Sequence, residues 1–214
     1  MIGETGFGTG LNFLLTWELW RRTAPPNGQL QYLVIERYPL TPADLARAHR
    51  AWPALTGLAH LLQHHWPPAE PGYHVLPLEA GRVRLFLLLG DVQSLLEQMQ
   101  AQVHAWYLDG FAPARNPAMW STAVLQQVAR LTVPGGTFAT FTAAGAVRRR
   151  LAAVGFAVEK VPGFSPKRES LRGYLAQPPA ITDVSPWFAN PSVPHGVMRR
   201  SSEPAWPGRQ RRKL

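Results

Sequence analysis

The chain contains no cysteine among its 214 residues. No disulfide framework, thiolate zinc site or cysteine nucleophile is therefore available, which excludes mechanisms in which a thiolate attacks a pyrimidine ring. A sequence without disulfides fits a reducing compartment. We accordingly expect a cytoplasmic protein.

Charged residues are scarce at 16%, and acidic residues are the scarcer kind. The chain has 22 lysine and arginine residues against 13 aspartate and glutamate residues, for a net charge of +9. An excess of cations favours phosphate-rich partners such as RNA, although basic surfaces are common. No apolar run reaches the length of a membrane span and no signal peptide pattern is present, so we expect no membrane association.

The histidines do not form a metal-binding motif. His60 and His64 have the i,i+4 spacing of a zinc protease motif, but Leu61 stands where that motif requires glutamate. No further ligand cluster is visible in the sequence. We therefore expect surface histidines and no bound metal.

Apolar strand-like runs alternate with helical ones, which predicts an α/β fold with a Rossmann-like sheet and helices on both faces. Strands are expected at 30–35, 73–78, 82–89, 104–108, 137–141, 155–160 and 171–175, the last two as an antiparallel pair, and helices at 11–22, 42–64 (in two pieces), 92–101, 119–131 and 143–153. Only Met1 and Ile2 precede a predicted turn at Gly3-Glu4, so we expect a first strand that is largely missing. We expect one domain at 1–177 and a proline-rich, basic, disordered tail or linker at 178–214.

A glycine-rich motif opens the chain. The dinucleotide fingerprint G-x-G-x-x-G would need glycine at Leu11 or Phe13, so NAD or FAD at this turn is disfavoured. An acidic residue followed by three alternating glycines after a strand is instead typical of S-adenosylmethionine (SAM) methyltransferases, where a side chain at the glycines would stand between the backbone and the ligand. A glycine-rich turn without any ligand is the alternative. The motif residues are Glu4, Gly6, Gly8 and Gly10.

Three acidic residues follow predicted strands, where ligands bind in open α/β sheets. Glu36 suits a ribose contact, with a solvated carboxylate as the alternative. Asp91 either reads the adenine of a cofactor or caps the following helix. Asp109 ends an aromatic strand before a loop stiffened by glycine and proline, so it should face the glycine turn.

Two basic segments have open interpretations. Lys167 and Arg168 lie between the last two predicted strands and could hold a phosphate, or they could be a solvated hairpin tip. The cations of 148–150 end a predicted helix, whose C-terminus attracts cations without any RNA.

Five motifs together resemble one family: Gly3–Phe13, Ile35–Leu40, Trp106–Pro113, Gly135–Phe141 and Gly163–Glu169. The chain is similar, through about residues 2–176, to the methyltransferase domain of the tRNA 5-methylaminomethyl-2-thiouridine biosynthesis protein (MnmC type). The resemblance implies methyl transfer from SAM to the aminomethyl group of the wobble uridine in tRNA, without a metal. The alternatives are an inactive fragment that retains RNA binding and a small-molecule amine N-methyltransferase.

The resemblance also implies roles for individual residues. The methionine side of SAM would be lined by Glu4, Gly6, Phe7, Gly8, Gly10 and Asn12, with Glu36 at the ribose and Asp91 at the adenine. Asp109 would be the catalytic residue that faces the substrate amine, and the substrate would meet Gly110, Phe111, Pro113, Lys167 and Arg168. The family implies a monomer, normally fused to a C-terminal FAD-dependent oxidase, for which this chain shows no FAD fingerprint.

Overall fold

A computed structural model describes residues 1–163 and 168–176 of the chain. Within these two ranges the chain forms one eight-stranded sheet and six α-helices. The strands are β1 (Ile2–Thr5), β2 (Leu30–Glu36), β3 (Gly72–Leu78), β4 (Val83–Leu89), β5 (Val103–Tyr107), β6 (Thr132–Thr140), β7 (Phe156–Pro162) and β8 (Glu169–Leu175). The helices are α1 (Leu11–Thr23), α2 (Pro42–His49), α3 (Thr56–His64), α4 (Val92–Gln98), α5 (Thr122–Leu131) and α6 (Gly145–Ala153).

The strand order is β3-β4-β2-β1-β5-β6-β8-β7. Strands β4, β2, β1, β5 and β6 pair in parallel, whereas β3–β4, β6–β8 and β7–β8 are antiparallel pairs. The predicted α/β fold and the closing antiparallel pair are confirmed. Because the central strands are parallel, their carboxyl ends meet at one edge of the sheet, where ligands bind in such folds.

The first strand is short but central, and it pairs with both β2 and β5. Gly3 and Glu4 belong to this strand, so the turn predicted there is wrong. A Cβ atom on Gly3 would stand 2.5 Å from the ring of Trp106 on β5, so this glycine serves strand packing. The turn begins later, at Gly6, whose φ is +104°.

Several other boundaries differ from the sequence prediction by one or two residues, and three differ by more. Helix α4 ends at Gln98 instead of 101. Helix α5 begins at Thr122 instead of 119, because the hydroxyl of Ser121 accepts from the N–H of Val124 and caps it. Strand β6 begins at Thr132 instead of 137, with a register shift against β5.

Apolar layers cover the two faces of the sheet, and β2 alternates between them. Tyr32 and Val34 pack in the layer formed with α1 and α3. Leu33 and Ile35 pack in the layer formed with α4, α5 and α6. Since parallel strands covered on both faces bury every side chain, β2 reads as a nearly continuous apolar run.

A groove of about 570 Å³ lies on the α1 face of the sheet, over the half that runs from β1 through β5, β6 and β8 to β7. Its lining includes Ile2, Tyr107, Ala139, Arg172 and Tyr174, and it includes neither the glycine turn nor Asp109. None of the helices in the described ranges is long and apolar enough to cross a membrane.

Candidate active site

The glycine turn, residues 6–10, connects the carboxyl end of β1 to α1. Gly6, Gly8 and Gly10 all have positive φ, at +104°, +55° and +74°. A Cβ atom on Gly6 would stand 2.7 Å from the backbone oxygen of Asp109, so only glycine lets the two segments approach. A Cβ atom on Gly8 would meet no atom within 4 Å. The turn therefore packs against Asp109 at Gly6, and at Gly8 it faces open space.

Glu36 joins the end of β2 to the glycine turn. Its Oε2 accepts from the N–H groups of Phe7 at 3.0 Å and Gly8 at 3.1 Å, and its Oε1 accepts from the N–H of Tyr38 at 2.7 Å. A carboxylate oxygen can accept more than one hydrogen bond, so these contacts leave room for a ligand hydroxyl. The ribose contact stays a prediction.

Two other residues predicted to bind cofactor have structural contacts of their own. The Phe7 ring is 4% exposed and stacks on Trp66 at a centroid distance of 5.3 Å, so only its backbone belongs to the surface of the turn. Asp91 is exposed and caps α4, since its Oδ1 accepts from the N–H groups of Gln93 and Ser94 at 3.1 and 3.2 Å. The adenine contact of Asp91 stays a prediction beside this capping role.

Asn12 joins the first turn of α1 to two carboxyl groups. Its Nδ2 donates to Oδ2 of Asp109 at 2.9 Å and to Oε1 of Glu4 at 2.7 Å. The glycine turn and Asp109 therefore lie side by side at the carboxyl edge of the sheet, as the sequence predicts. The surface that they border is the candidate cofactor cleft.

Glu4 lies beneath the turn and is 1% exposed. Its Oε2 accepts from the hydroxyl of Tyr32 at 2.8 Å. Burial raises the pKa of Glu4 to about 8, against the opposing effect of the hydrogen bonds from Asn12 and Tyr32 and with a smaller contribution from the negative charges of Asp109 and Glu36. Burial, followed by the charge of Glu4, also raises the pKa of Tyr32. The Asn12 amide connects this buried carboxyl group to Asp109 by hydrogen bonds.

The loop after Asp109 is held from within the protein. A Cβ atom on Gly110 would collide with the sulfur of Met119 and stand 3.2 Å from the backbone oxygen of Thr5. The indole N–H of buried Trp120 donates to the backbone oxygen of Phe111 at 3.0 Å, while the Phe111 ring is 67% exposed. Pro113 is half-buried. The loop thus presents an aromatic ring to solvent on a fixed backbone.

The basic segments are only partly described. Arg168 is exposed, and its backbone oxygen accepts from the N–H of Gly163 at 3.0 Å. Lys167 and the predicted tail 178–214 lie outside the described residues. Arg150 donates to the backbone oxygen of Trp120 at 3.0 Å, a structural role, whereas Arg148 is exposed.

One contact of the glycine turn was missed by sequence reasoning. Buried His49, the last residue of α2, bonds through Nε2 to the backbone oxygen of Thr9 and through Nδ1 to Nε2 of Gln63, both at 2.8 Å. The sequence carries no signal for this contact, and the two histidines at metal-motif spacing, His60 and His64, are exposed. In the part of the chain that the structure describes, no three possible metal ligands come together.

Two carboxylates beside an open glycine turn suit a cofactor that carries a positive charge, such as the sulfonium of a methyl donor. The turn is bare at Gly8, and the carboxylates of Glu36 and Asp109 lie on either side of it. The arrangement defines a nucleoside-cofactor methyltransferase more closely than a dinucleotide enzyme.

Comparison with known proteins also indicates a methyltransferase. The sequence model of the S-adenosyl-L-methionine-dependent methyltransferase family Methyltransf_30 matches residues 53–176, and the chain belongs to this family. Its cofactor is S-adenosylmethionine.

The chain is also similar to named bifunctional proteins. The chain is 49% identical to the tRNA 5-methylaminomethyl-2-thiouridine biosynthesis bifunctional protein MnmC of Chromobacterium violaceum, over 89% of this chain and 29% of that protein. It is 51% identical to the MnmC of Magnetococcus marinus, again over 89% of this chain and 29% of that protein. The chain thus spans less than a third of the length of these relatives.

Solved structures share the fold. MNMC2 from Aquifex aeolicus aligns with a TM-score of 0.65 at 22% identity, over 85% of this chain and 55% of that one. A methyltransferase from Pyrococcus furiosus aligns with a TM-score of 0.50 at 13% identity, over 83% of this chain and 75% of that one. At these identities the likeness concerns the fold alone.

Proposed function

We propose that this chain transfers a methyl group from SAM to the aminomethyl group of 5-aminomethyl-2-thiouridine at the wobble position of tRNA, which gives 5-methylaminomethyl-2-thiouridine. The relatives that are 49% and 51% identical are named for the biosynthesis of this nucleoside, and the family supplies the methyl transfer. The net charge of +9 suits a nucleic acid substrate. By the same resemblance, the chain works as a monomer beside an FAD-dependent oxidase domain, with 178–214 as the linker.

The observation that carries this proposal is the contact between Asn12 and Asp109, which fixes a carboxylate next to the glycine turn. A primary alkylamine is mostly protonated near neutral pH and then has no lone pair to attack carbon. Asp109 accepts the amine proton, as general-base catalysis requires, and holds the nitrogen in line with the methyl group. SAM supplies a methyl group whose bond to sulfur breaks as the bond to nitrogen forms.

The remaining residues bind and orient the two substrates. The methionine side of the cofactor lies along the turn and α1 (Glu4, Gly6, Phe7, Gly8, Gly10 and Asn12), with Glu36 at the ribose and Asp91 at the adenine. Phe7 acts through its backbone and Glu4 acts through Asn12, because both side chains are buried. The uridine meets Gly110, Phe111 and Pro113, and Lys167 and Arg168 meet the tRNA backbone.

The test uses tRNA that carries the unmethylated aminomethyl nucleoside, together with SAM labelled in its methyl group. We expect label in the wobble nucleoside with the wild-type chain and none with Asp109→Ala, while calorimetry shows SAM binding by both. Glu70→Ala, which removes an exposed carboxylate, is the matched control and should retain turnover.

Two other results would contradict the proposal. Methylation of free amines without tRNA retention in gel shifts would indicate a small-molecule enzyme. An RNA complex without any heat of SAM binding would indicate an inactive RNA-binding fragment.

A further inference from the structure

A chain of hydrogen bonds runs from the middle of the sheet to the candidate catalytic carboxylate. The Tyr32 hydroxyl donates to one oxygen of Glu4, and the Asn12 amide donates to the other oxygen and to Asp109. The three distances are 2.8, 2.7 and 2.9 Å. The four residues come from β2, β1, α1 and the segment after β5, so the chain connects four separate elements at the cleft.

The buried part of this chain is costly for the fold. Glu4 is 1% exposed and Tyr32 is 0% exposed, and a buried carboxyl group costs free energy unless it is hydrogen-bonded. An apolar pair at these two positions would fill the same layer between β1, β2 and α1. The structure instead places there the Glu4 carboxyl group, with a hydrogen bond at each oxygen. One of these hydrogen bonds comes from the Asn12 amide, which also donates to Asp109.

Asn12 has no freedom to rotate its amide while both contacts persist. The amide nitrogen has two hydrogens, and the two carboxyl groups take one each. Fixing Glu4 therefore fixes the plane of the Asn12 amide, which in turn fixes the direction from which Asp109 Oδ2 is approached.

We propose that Tyr32 and Glu4 are positioning residues that hold the Asp109 carboxylate in its reactive orientation through the Asn12 amide. The proposal rests on the proposed function for its consequence in catalysis, but the orientation itself is a property of the chain alone. Neither residue touches the substrate. Burial raises the pKa of Glu4, so a neutral form keeps a second negative charge away from Asp109. In that form the Glu4 hydroxyl donates to the Tyr32 oxygen, and the contact between the two residues persists with its direction reversed.

The test is Tyr32→Phe, which removes one hydroxyl and keeps the ring that packs against Phe13. Tyr174→Phe is the control, since Tyr174 lies on β8 and pairs with Thr137 of β6. Thr137 is level with Ala105 and with Ile2 at the start of β1, away from the carboxyl edge of the sheet. For each variant, kcat and the KM values for SAM and tRNA are measured. Side-chain resonances of Asn12 and Asp109 are assigned by their loss in Asn12→Ser and Asp109→Asn.

We expect Tyr32→Phe to lower kcat by about tenfold or more, because small misplacements of a catalytic group cost that much, with little change in KM for SAM. The Asn12 amide and Asp109 carboxyl resonances should both shift. Tyr174→Phe should change neither kcat nor the resonances.

Unshifted resonances in Tyr32→Phe, or an unchanged kcat, would overturn the proposal. A fall in activity with equal loss of SAM binding and of the folded signal would also overturn it, since that is the effect of a purely structural residue. Shifted resonances in a chain whose wild type does not methylate tRNA would leave the positioning intact and refute the proposed function.

Discussion

Replacing Glu4 by glutamine should change how the stability of the protein depends on pH. Burial raises the pKa of Glu4 from 4.5 to about 8, so the folded state holds a proton that the unfolded state releases between these values. The stability of the wild type must then fall as the pH rises through this window, and it must level off above about pH 8. Glutamine has no proton to release, and its amide can still pair with Asn12 and Tyr32.

The magnitude follows from the size of the window. The window between about pH 5 and the folded pKa spans about three pH units, and each unit corresponds to about 1.36 kcal/mol. The free energy of unfolding of the wild type should therefore fall by about 4 kcal/mol relative to that of Glu4→Gln by about pH 9. This loss is a large fraction of the stability of an ordinary domain.

Urea unfolding of both proteins at about pH 5 and about pH 9 gives the comparison, and taking the difference removes every other titrating group they share. Glu70→Gln, an equally conservative change at an exposed residue, controls for the substitution itself. If the wild type and Glu4→Gln lost stability in parallel over this range, Glu4 would be ionised in the folded protein and the burial argument would be wrong.

Two more predictions concern the turn and the loop that face each other. Gly6→Ala should destabilise the fold by about 1–3 kcal/mol and weaken SAM binding measured by calorimetry, because its Cβ atom would collide with the backbone oxygen of Asp109. Gly8→Ala, whose Cβ atom has open space around it, should destabilise the fold less. Equal losses of stability in the two variants would refute the steric argument. Trp120→Phe should lower the free energy of unfolding in urea by about 1 kcal/mol and raise the KM for tRNA, because it removes the hydrogen bond to the backbone oxygen of Phe111. An unchanged KM would show that this hydrogen bond does not order the loop.

The sequence predicts the order of the elements and the edge where the site lies. Both follow from local signals: the alternation of apolar runs shows a parallel sheet, and in a parallel sheet Glu36, Asp91 and Asp109 must emerge on the same edge as the glycine turn. The boundaries were less predictable where side chains decide them. Trp106 explains the glycine at position 3, an effect that depends on a neighbour in space. The hydroxyl of Ser121 that starts α5 is instead a local capping signal, three residues from its partner, which the predicted start at 119 did not use.

The hydrogen-bonded partners within the site were not predictable. Asn12 and Asp109 are 97 residues apart, and His49 reaches the turn from a helix that carries no motif. Alternation along β2 shows that Tyr32 and Leu33 face opposite layers, but it does not show which layer lies under α1. That choice depends on the handedness of the whole connection, and it places the Tyr32 hydroxyl within reach of Glu4.

We infer that the acidic residue that opens the glycine motif acts through the amide that it orients and does not itself line the cofactor. A motif pattern treats Glu4 as a ligand-lining residue, yet its side chain is 1% exposed and each of its oxygens accepts a hydrogen bond. A buried carboxyl group cannot meet a cofactor directly, but it can fix the amide that does reach the cleft. Glu4 would then matter to methyl transfer because of what it orients, and substitutions there should follow those at Tyr32 more closely than those at Glu36.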